Sequence, residues 1–212
     1  GEKRTVNKNK LLLGIRPEDV KYKANEKGTV VAFIQEGELW SYNIDSHELF
    51  QIFSFRSAEG ISDRENNGQH EIKIMRMDEG GSMDFVVYGY MNRGRHEGSI
   101  GVQVYEYNGM LNTVEELIFI PYNKAYATLK TDMEQLSYIN KNGVFYIYLD
   151  GSILAIDLMN LTCDEIAQNL QQGSFQVSNT NKMLVWQNSA DAYDCTKLIL
   201  MNLNTGETQE IE

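Results

Sequence analysis

The sequence is short of most residues that build a catalytic or metal centre. Its 212 residues include two cysteines, two prolines and three histidines. Cys163 and Cys195 form no CxxC pair, and His47, His70 and His96 are scattered without ligand spacing, so neither a metal nor a cofactor is expected. Both cysteines read as ordinary, partly buried thiols, and they neither require nor exclude an oxidising compartment. No G-x-S-x-G nucleophile elbow, phosphate-binding loop or G-x-G-x-x-G fingerprint is present. Long hydrophobic runs are missing too: LLLGI at 11–15 falls far below the roughly 20 apolar residues of a membrane span, so no membrane insertion is expected. Positive charge is scarce, with 19 Lys and Arg against 30 Asp and Glu, a net charge of −11. A groove for nucleic-acid phosphates needs the opposite sign, as does an anionic membrane surface, so both partners are disfavoured. The acidity reads as a soluble, self-repelling surface.

What the sequence does hold is apolar and aromatic alternation. The chain is 42% hydrophobic and 10% aromatic, with 12 tyrosines, enough for one good core or two small ones and unlike a disordered chain. TVVAFI, GELWSYNI, MDFVVYGY, GVQVYEY, VFYIYL, SILAIDL, MLVW and KLILMNL are short runs of β-branched and aromatic residues broken by Gly, Asn and Asp, as strands and tight turns require. Helical periodicity is nearly absent. LTCDEIAQNLQQG (161–173) reads either as a short helix or as an outer strand followed by a loop.

Stacking the runs reveals a repeat. VKYKANEKGTVVAFIQEGELWSYNIDSHELFQI (Val20–Ile52) aligns with LSYINKNGVFYIYLDGSILAIDLMNLTCDEI (Leu136–Ile166), with a one-residue slip near Gly28 and Gly143. FQVSNTNKMLVWQNSADAYDCTKLILMNLNTGETQEIE, from Phe175, keeps the same order with a longer middle turn, and another copy starts near Ile72. Repeats at about 20–55, 72–120, 136–170 and 175–212 within a single domain spanning 1–212 are the expectation. RSAEGISDRENNGQHE (56–71) and PYNKAYATLKTDMEQ (121–135) read as extra loop. The expected fold is all-β: antiparallel four-stranded meanders forming about four β-propeller-like blades.

The pattern of polar turn, VVAF, turn, GELWSYNI, turn and ELFQI resembles the blades of TolB-like and WD40-like β-propellers. Val30–Phe33 with Glu38–Asp45 carry it, as do Lys197–Thr205 with Gly206. The WD dipeptide and the Gly-His of true WD40 repeats are missing and the Thr-Gly turn occurs once, which places the likeness with the broader group of degenerate bacterial propellers. That resemblance implies an extracytoplasmic setting (periplasmic, cell-surface or secreted). NKLLLGI (9–15) reads as the last strand of a preceding blade, making the chain an arc of a larger propeller; the alternative is that it pairs with the C-terminal blade and closes a four-bladed ring. The leading Gly of the polar GEKRTVNKNK reads as a cleavage scar and the chain as an excised piece of something longer, so other domains of a parent chain count among the expected partners.

GYMNRGRHEG (89–98) is the foremost candidate site. Arg93 and Arg95 can hold a carboxylate or phosphate bidentately, and His96 adds a donor, which makes these three the candidate partner-binding residues. The plainer reading is a charged hairpin tip where Arg93 or Arg95 pairs with Glu97 or with an acid of a neighbouring blade. Asn188, Asp191, Asp194 and Asp150 supply oxygens for Ca²⁺ but lack the D-x-D-x-D-G spacing, and read as solvated turns. Trp40, Tyr42, Tyr105, Tyr107, Tyr146, Tyr148 and Trp186 can stack on sugar rings, yet they alternate within strands as packing between blades demands. The functional expectation is a non-enzymatic recognition or scaffold module presenting blade loops to a protein or carbohydrate partner. The alternative is a glycoside-processing propeller using carboxylates in its axial funnel, with the acids of GEL (37–39) and DEGG (78–81) as examples.

Overall fold

The computed structural model describes residues 21–35, 37–54, 70–91, 95–134, 137–139, 143–168, 175–178, 183–188 and 197–211. NKLLLGI at 9–15 and the 56–69 insertion lie outside them. The described chain consists of sixteen strands and one helix. Every strand belongs to one of four antiparallel four-stranded sheets in which neighbours in sequence are neighbours in space. The first sheet holds β1 (Lys21–Ala24), β2 (Val30–Gln35), β3 (Glu38–Asn43) and β4 (Leu49–Ser54). The second holds β5 (His70–Met77), β6 (Met83–Tyr90), β7 (Ile100–Asn108) and β8 (Thr113–Pro121). The third holds β9 (Ser137–Ile139), β10 (Val144–Leu149), β11 (Ser152–Asp157) and β12 (Thr162–Ala167), and the fourth β13 (Phe175–Val177), β14 (Met183–Asn188), β15 (Lys197–Asn202) and β16 (Thr208–Ile211). Within LTCDEIAQNLQQG, Thr162–Ala167 is thus an outer strand and not a helix. Two compact units divide the chain, Gly1–Tyr126 and Ala127–Glu212.

In the first unit the two sheets pack face to face. Alternation puts Ala32 and Leu39 on one face of the first sheet and Ile72, Met83, Phe85, Val87 and Tyr107 on the facing side of the second, where they form one buried cluster with Ile52 and Met77. Its centre is aromatic. Phe85 and Tyr105 stack with centroids 5.2 Å apart, and Phe53 of β4 meets both, at 5.7 and 5.1 Å. Each large side chain fully buried here contributes about 1.5–3 kcal/mol. In the second unit Tyr146, Tyr148, Ile153, Phe175 and Met201 form the corresponding cluster between the third and fourth sheets.

One turn recurs in all four sheets, between the third and fourth strands. An Asn or Asp ends the third strand, and its side-chain oxygen accepts a hydrogen bond from the backbone N–H two residues on and, in the first three sheets, also from that three residues on. Asn43 holds Asp45 and Ser46 (both 3.0 Å), and Asn108 holds Met110 and Leu111 (both 3.0 Å). Asp157 holds Met159 at 2.9 Å and Asn160 at 3.0 Å, and Asn202 holds Asn204 at 2.9 Å. Four residues after each of these acceptors the backbone turns left-handed, at His47 (φ 56°), Asn112 (52°), Leu161 (53°) and Gly206 (72°). The side chain mimics a backbone turn and the left-handed residue reverses the chain. Met110 and Met159, at the tips, stand 89% and 78% exposed. In the first three sheets the ladder between these strands also shifts by one residue, at Leu39/Trp40, Val104/Tyr105 and Ile153/Leu154, a bulge that increases the twist.

The PYNKAYATLKTDMEQ segment, expected as loop, carries the helix α1 (Tyr126–Glu134). Helix-forming Ala, Leu, Lys and Met fill it, and Leu129, Asp132 and Met133 bury one stripe. Asp132 Oδ2 accepts the N–H of Asp150 at 3.0 Å. That N–H belongs to a two-residue hairpin turn, Asp150-Gly151, whose residues both have positive φ (51° and 83°), the geometry that matches strand twist.

At the opposite end of the chain Asn25, 4% exposed, ties the first two sheets together. Its Oδ1 accepts N–H groups of Thr29 (2.9 Å) and Val30 (3.0 Å). Its Nδ2 donates to Thr29 Oγ1 (3.0 Å) and to the Glu79 carbonyl (2.8 Å) in the β5–β6 turn. Asn25→Ala strands several buried polar groups at once and is expected to cost about 3 kcal/mol in urea unfolding. Gly206 has open space where a Cβ would stand, so Gly206→Ala meets only backbone strain and is expected to cost about 1 kcal/mol. Leu161→Gly, at the equivalent turn, is expected to change stability in the opposite direction by a similar amount or less; a loss as large as that of Gly206→Ala would show that the turn does not strain Leu161.

Candidate functional site

The loop between β6 and β7 joins the middle strands of the second sheet and stands at the end opposite its Asn108–Asn112 turn. Its frame is a small set of backbone bonds. Met91 N donates to Ser99 O (2.8 Å), Gly98 N to Met91 O (2.9 Å) and Ser99 N to His96 O (3.1 Å), with Gly98 at φ 84°. The three residues singled out in the sequence fare differently. Arg93 lies outside the described residues. Arg95 is exposed and forms no ion pair among the described residues. His96 folds back onto its own sheet.

Its imidazole stacks on Phe119 of β8, with centroids 3.8 Å apart and planes 14° from parallel. Nε2 lies 2.9 Å from Glu116 Oε1. Glu116 Oε2 accepts Gln103 Nε2 (3.0 Å), and Gln103 Oε1 accepts the Tyr105 hydroxyl (3.0 Å). A polar chain therefore runs from the loop, across β8 and β7, into the aromatic cluster that joins the first two sheets. Among the described residues the acid that meets His96 is Glu116, twenty residues on, in β8 of the same sheet. Sequence spacing hides it; only the pairing of β7 with β8, in which Tyr105 faces Glu116, brings it near.

Gly101 makes the stack possible. A Cβ there would stand 2.5 Å from the Ile120 carbonyl oxygen and 2.7 Å from the Phe119 ring. The ring lies across the space a side chain would fill, as an aromatic covers a strand glycine.

The other sequence candidates divide. Tyr107, Tyr146 and Tyr148 are buried between sheets, as their alternation predicts. Trp40 and Tyr42 are half-buried on the face of the first sheet turned away from Ala32 and Leu39, together with Phe33. Asp191 and Asp194 lie outside the described residues, among which no group of three His, Cys, Asp or Glu side chains has metal-ligating proximity. Cys163 is a free thiol on the exposed strand β12, in contrast to the partly buried residue expected, because the outermost strand faces solvent. Cys195 lies outside the described residues.

The carboxylates of GEL and DEGG serve local structure. Glu38 accepts the Ser54 hydroxyl (3.0 Å), Asp78 accepts the Ser82 N–H (2.8 Å), and Glu79 pairs with Lys27 (2.8 Å). Asp84, in the middle of the second sheet, is the described acid whose pKa is raised. Burial raises its pKa to about 6, against the pull of the Arg76 guanidinium at 2.8 Å and with the help of Glu106, its neighbour on β7. Glu106 itself is exposed, so the two do not share an enclosed pocket.

No protein-family model and no curated protein sequence matches this chain. Solved structures do match in shape. TolB from Acinetobacter baumannii superposes with a TM-score of 0.52 over 90% of this chain and 43% of its own, at 11% identity. The tricorn protease gives 0.54 over 90% of this chain and 16% of its own, at 10% identity. Porphyromonas gingivalis dipeptidyl peptidase 4 gives 0.50 over 93% and 33%, at 12% identity. The chain spans less than half the length of each. Likeness at such identities establishes the fold, which is β-propeller-like, and nothing about activity.

Two outcomes test this geometry. Gly101→Ala forces Phe119 off its seat and is expected to cost about 2 kcal/mol or more in urea unfolding, with loss of the ring-current shift of His96 by NMR. Asp84 has a folded pKa above its ordinary 3.8, so its contribution to stability is full below about pH 4 and is lost as pH rises through about 6. Asp84→Asn is therefore expected to gain on the parent protein between about pH 4 and pH 7, by about 2 kcal/mol. Urea midpoints that diverge in the opposite sense would show that Arg76 holds the carboxylate ionised without cost.

Proposed function

We propose that this chain is a non-enzymatic recognition or scaffold module, the propeller part of a larger extracytoplasmic bacterial protein, and that it meets a protein or carbohydrate partner through its blade loops. Arg93, Arg95 and His96 are the proposed contact residues. The observation that carries the reading is the seating of His96 on Phe119 and Glu116 beside an exposed Arg95. A loop pinned by one residue and displaying the next loses little conformational entropy on binding. An arginine so displayed suits a carboxylate or phosphate, which its planar fork grips through two parallel hydrogen bonds. His96 then acts chiefly by positioning.

The fold likeness supports the module half of the proposal by analogy alone. The compartment is supported by the resemblance to TolB-like blades. The enzymatic alternative gains no specific observation, since the described carboxylates of GEL and DEGG are engaged in turns and ion pairs.

Recovery of a partner from a cell-envelope extract by the tagged chain, compared with Arg93→Ala/Arg95→Ala and His96→Ala variants, tests the loop. The double arginine variant is expected to lose about tenfold or more in recovery, and His96→Ala a smaller part. Undiminished recovery by the double variant removes the loop from consideration.

A further inference from the structure

The turn that recurs in all four sheets ends its third strand on an Asn or Asp, and the residue after that acceptor decides its chemical fate. Asn43 is followed by Ile44, Asn108 by Gly109, Asp157 by Leu158 and Asn202 by Leu203. Asparagine is thermolabile because the next backbone nitrogen can attack its side-chain Cγ. A Cβ beside that nitrogen hinders the approach. Of the four steps, Asn108-Gly109 alone has no such shield.

Neither residue is free to change. A Cβ on Gly109 would stand 3.1 Å from the carbonyl carbon of Gly81 and from the nitrogen of Ser82, because the β5–β6 turn packs against it. Asn108 Oδ1 accepts the N–H groups of Met110 and Leu111 and so builds the turn. Packing and turn chemistry together dictate the step most open to attack.

The neighbouring turn also supplies a restraint. Gly109 N donates to Ser82 Oγ at 3.0 Å. Asp78 holds Ser82 in place: its Oδ1 accepts the Ser82 N–H (2.8 Å), and its own N–H donates to the Ser82 carbonyl (2.8 Å). In the first and third sheets the corresponding nitrogens donate to backbone carbonyls, Ile44 N to Thr29 O (2.8 Å) and Leu158 N to Gly143 O (3.1 Å). In the second sheet a hydroxyl stands in for the carbonyl, so one side chain controls the restraint.

We propose that Asn108 is a latent modification site at which Ser82 withholds a spontaneous deamidation. When the hydrogen bond opens, Gly109 N loses its proton and bonds to Asn108 Cγ, and ammonia leaves. Water then opens the succinimide ring at either carbonyl, giving aspartate or isoaspartate at position 108. Aspartate keeps the acceptor, as Asp157 does in the third sheet. Isoaspartate adds a methylene to the main chain and displaces the Met110–Leu111 tip. The site stands at the end of its sheet opposite the β6–β7 loop, so either proposal can fail without the other.

Incubation of the intact chain in mildly alkaline buffer, folded and in guanidinium chloride, with peptide mass mapping of position 108, provides the test. The folded chain is expected to react about tenfold or more slower than the denatured one. Ser82→Ala is expected to raise the folded rate about fivefold, the weight of one ordinary hydrogen bond, with hydrogen exchange along β6 and β7 unchanged. Ile44→Gly, at an exposed position, places an Asn-Gly step under a carbonyl restraint, and Asn43 is expected to stay slow there. The proposal is overturned if Ser82→Ala reacts no faster than the parent, or if its gain is matched by an equal loss of protection along β6 and β7. It is overturned equally if Asn43 in Ile44→Gly reacts as fast folded as denatured.

Discussion

A four-stranded meander has two faces and cannot hide both, and everything described here follows from how that exposure is resolved. In the first unit the solution is the aromatic junction of Phe53, Phe85 and Tyr105, where two sheets cover each other. The middle strand β6 is buried on both sides from Met83 to Gly89. Outer strands are left to solvent: β8 carries Glu115 and Glu116, and β16 is exposed throughout. Charged residues on an outermost strand also discourage pairing with a stray chain. The same junction anchors the candidate site, because Tyr105 belongs at once to the aromatic cluster and to the polar chain that ends at His96.

Much of the architecture was legible because period-two alternation and turn residues report the local backbone directly. The strand runs VVAF, VFYIYL and SILAID fall where the alternation puts them. The Thr-Gly turn, read as a mark of one copy, is one instance of a more general device. What recurs is an Asn or Asp followed four residues later by a left-handed position, filled by His47, Asn112, Leu161 and Gly206. Glycine satisfies that position most easily, but tertiary context holds the others, so a search for Gly finds a single sheet of the four. The helix α1 was missed for a related reason. Its buried stripe is Leu129, Asp132 and Met133, and a buried aspartate paired with the Asp150 N–H does not register as apolar.

The candidate sites were legible only in part. A basic, glycine-bearing loop in an acidic chain stands out by composition, which is why GYMNRGRHEG drew notice. The bed that receives His96 does not stand out, since Gln103, Glu116 and Phe119 are ordinary strand residues until register aligns them. The approach of β1 to β5 was wholly hidden. Lys21 and Lys23 are about fifty positions from Lys73, and only the adjacency of two first strands makes neighbours of them.

The turn tips bear on the chemistry of ageing. Met110 and Met159 offer their thioethers to the solvent, whereas Met83, Met91 and Met133 are sealed. A dissolved peroxide reaches the first pair without any opening of the fold and the second group only through local unfolding. A sulfoxide oxygen at either tip projects into water and leaves the packing intact. Oxidative damage to this protein is therefore expected to register first as added mass at the exposed methionines and only later as lost structure.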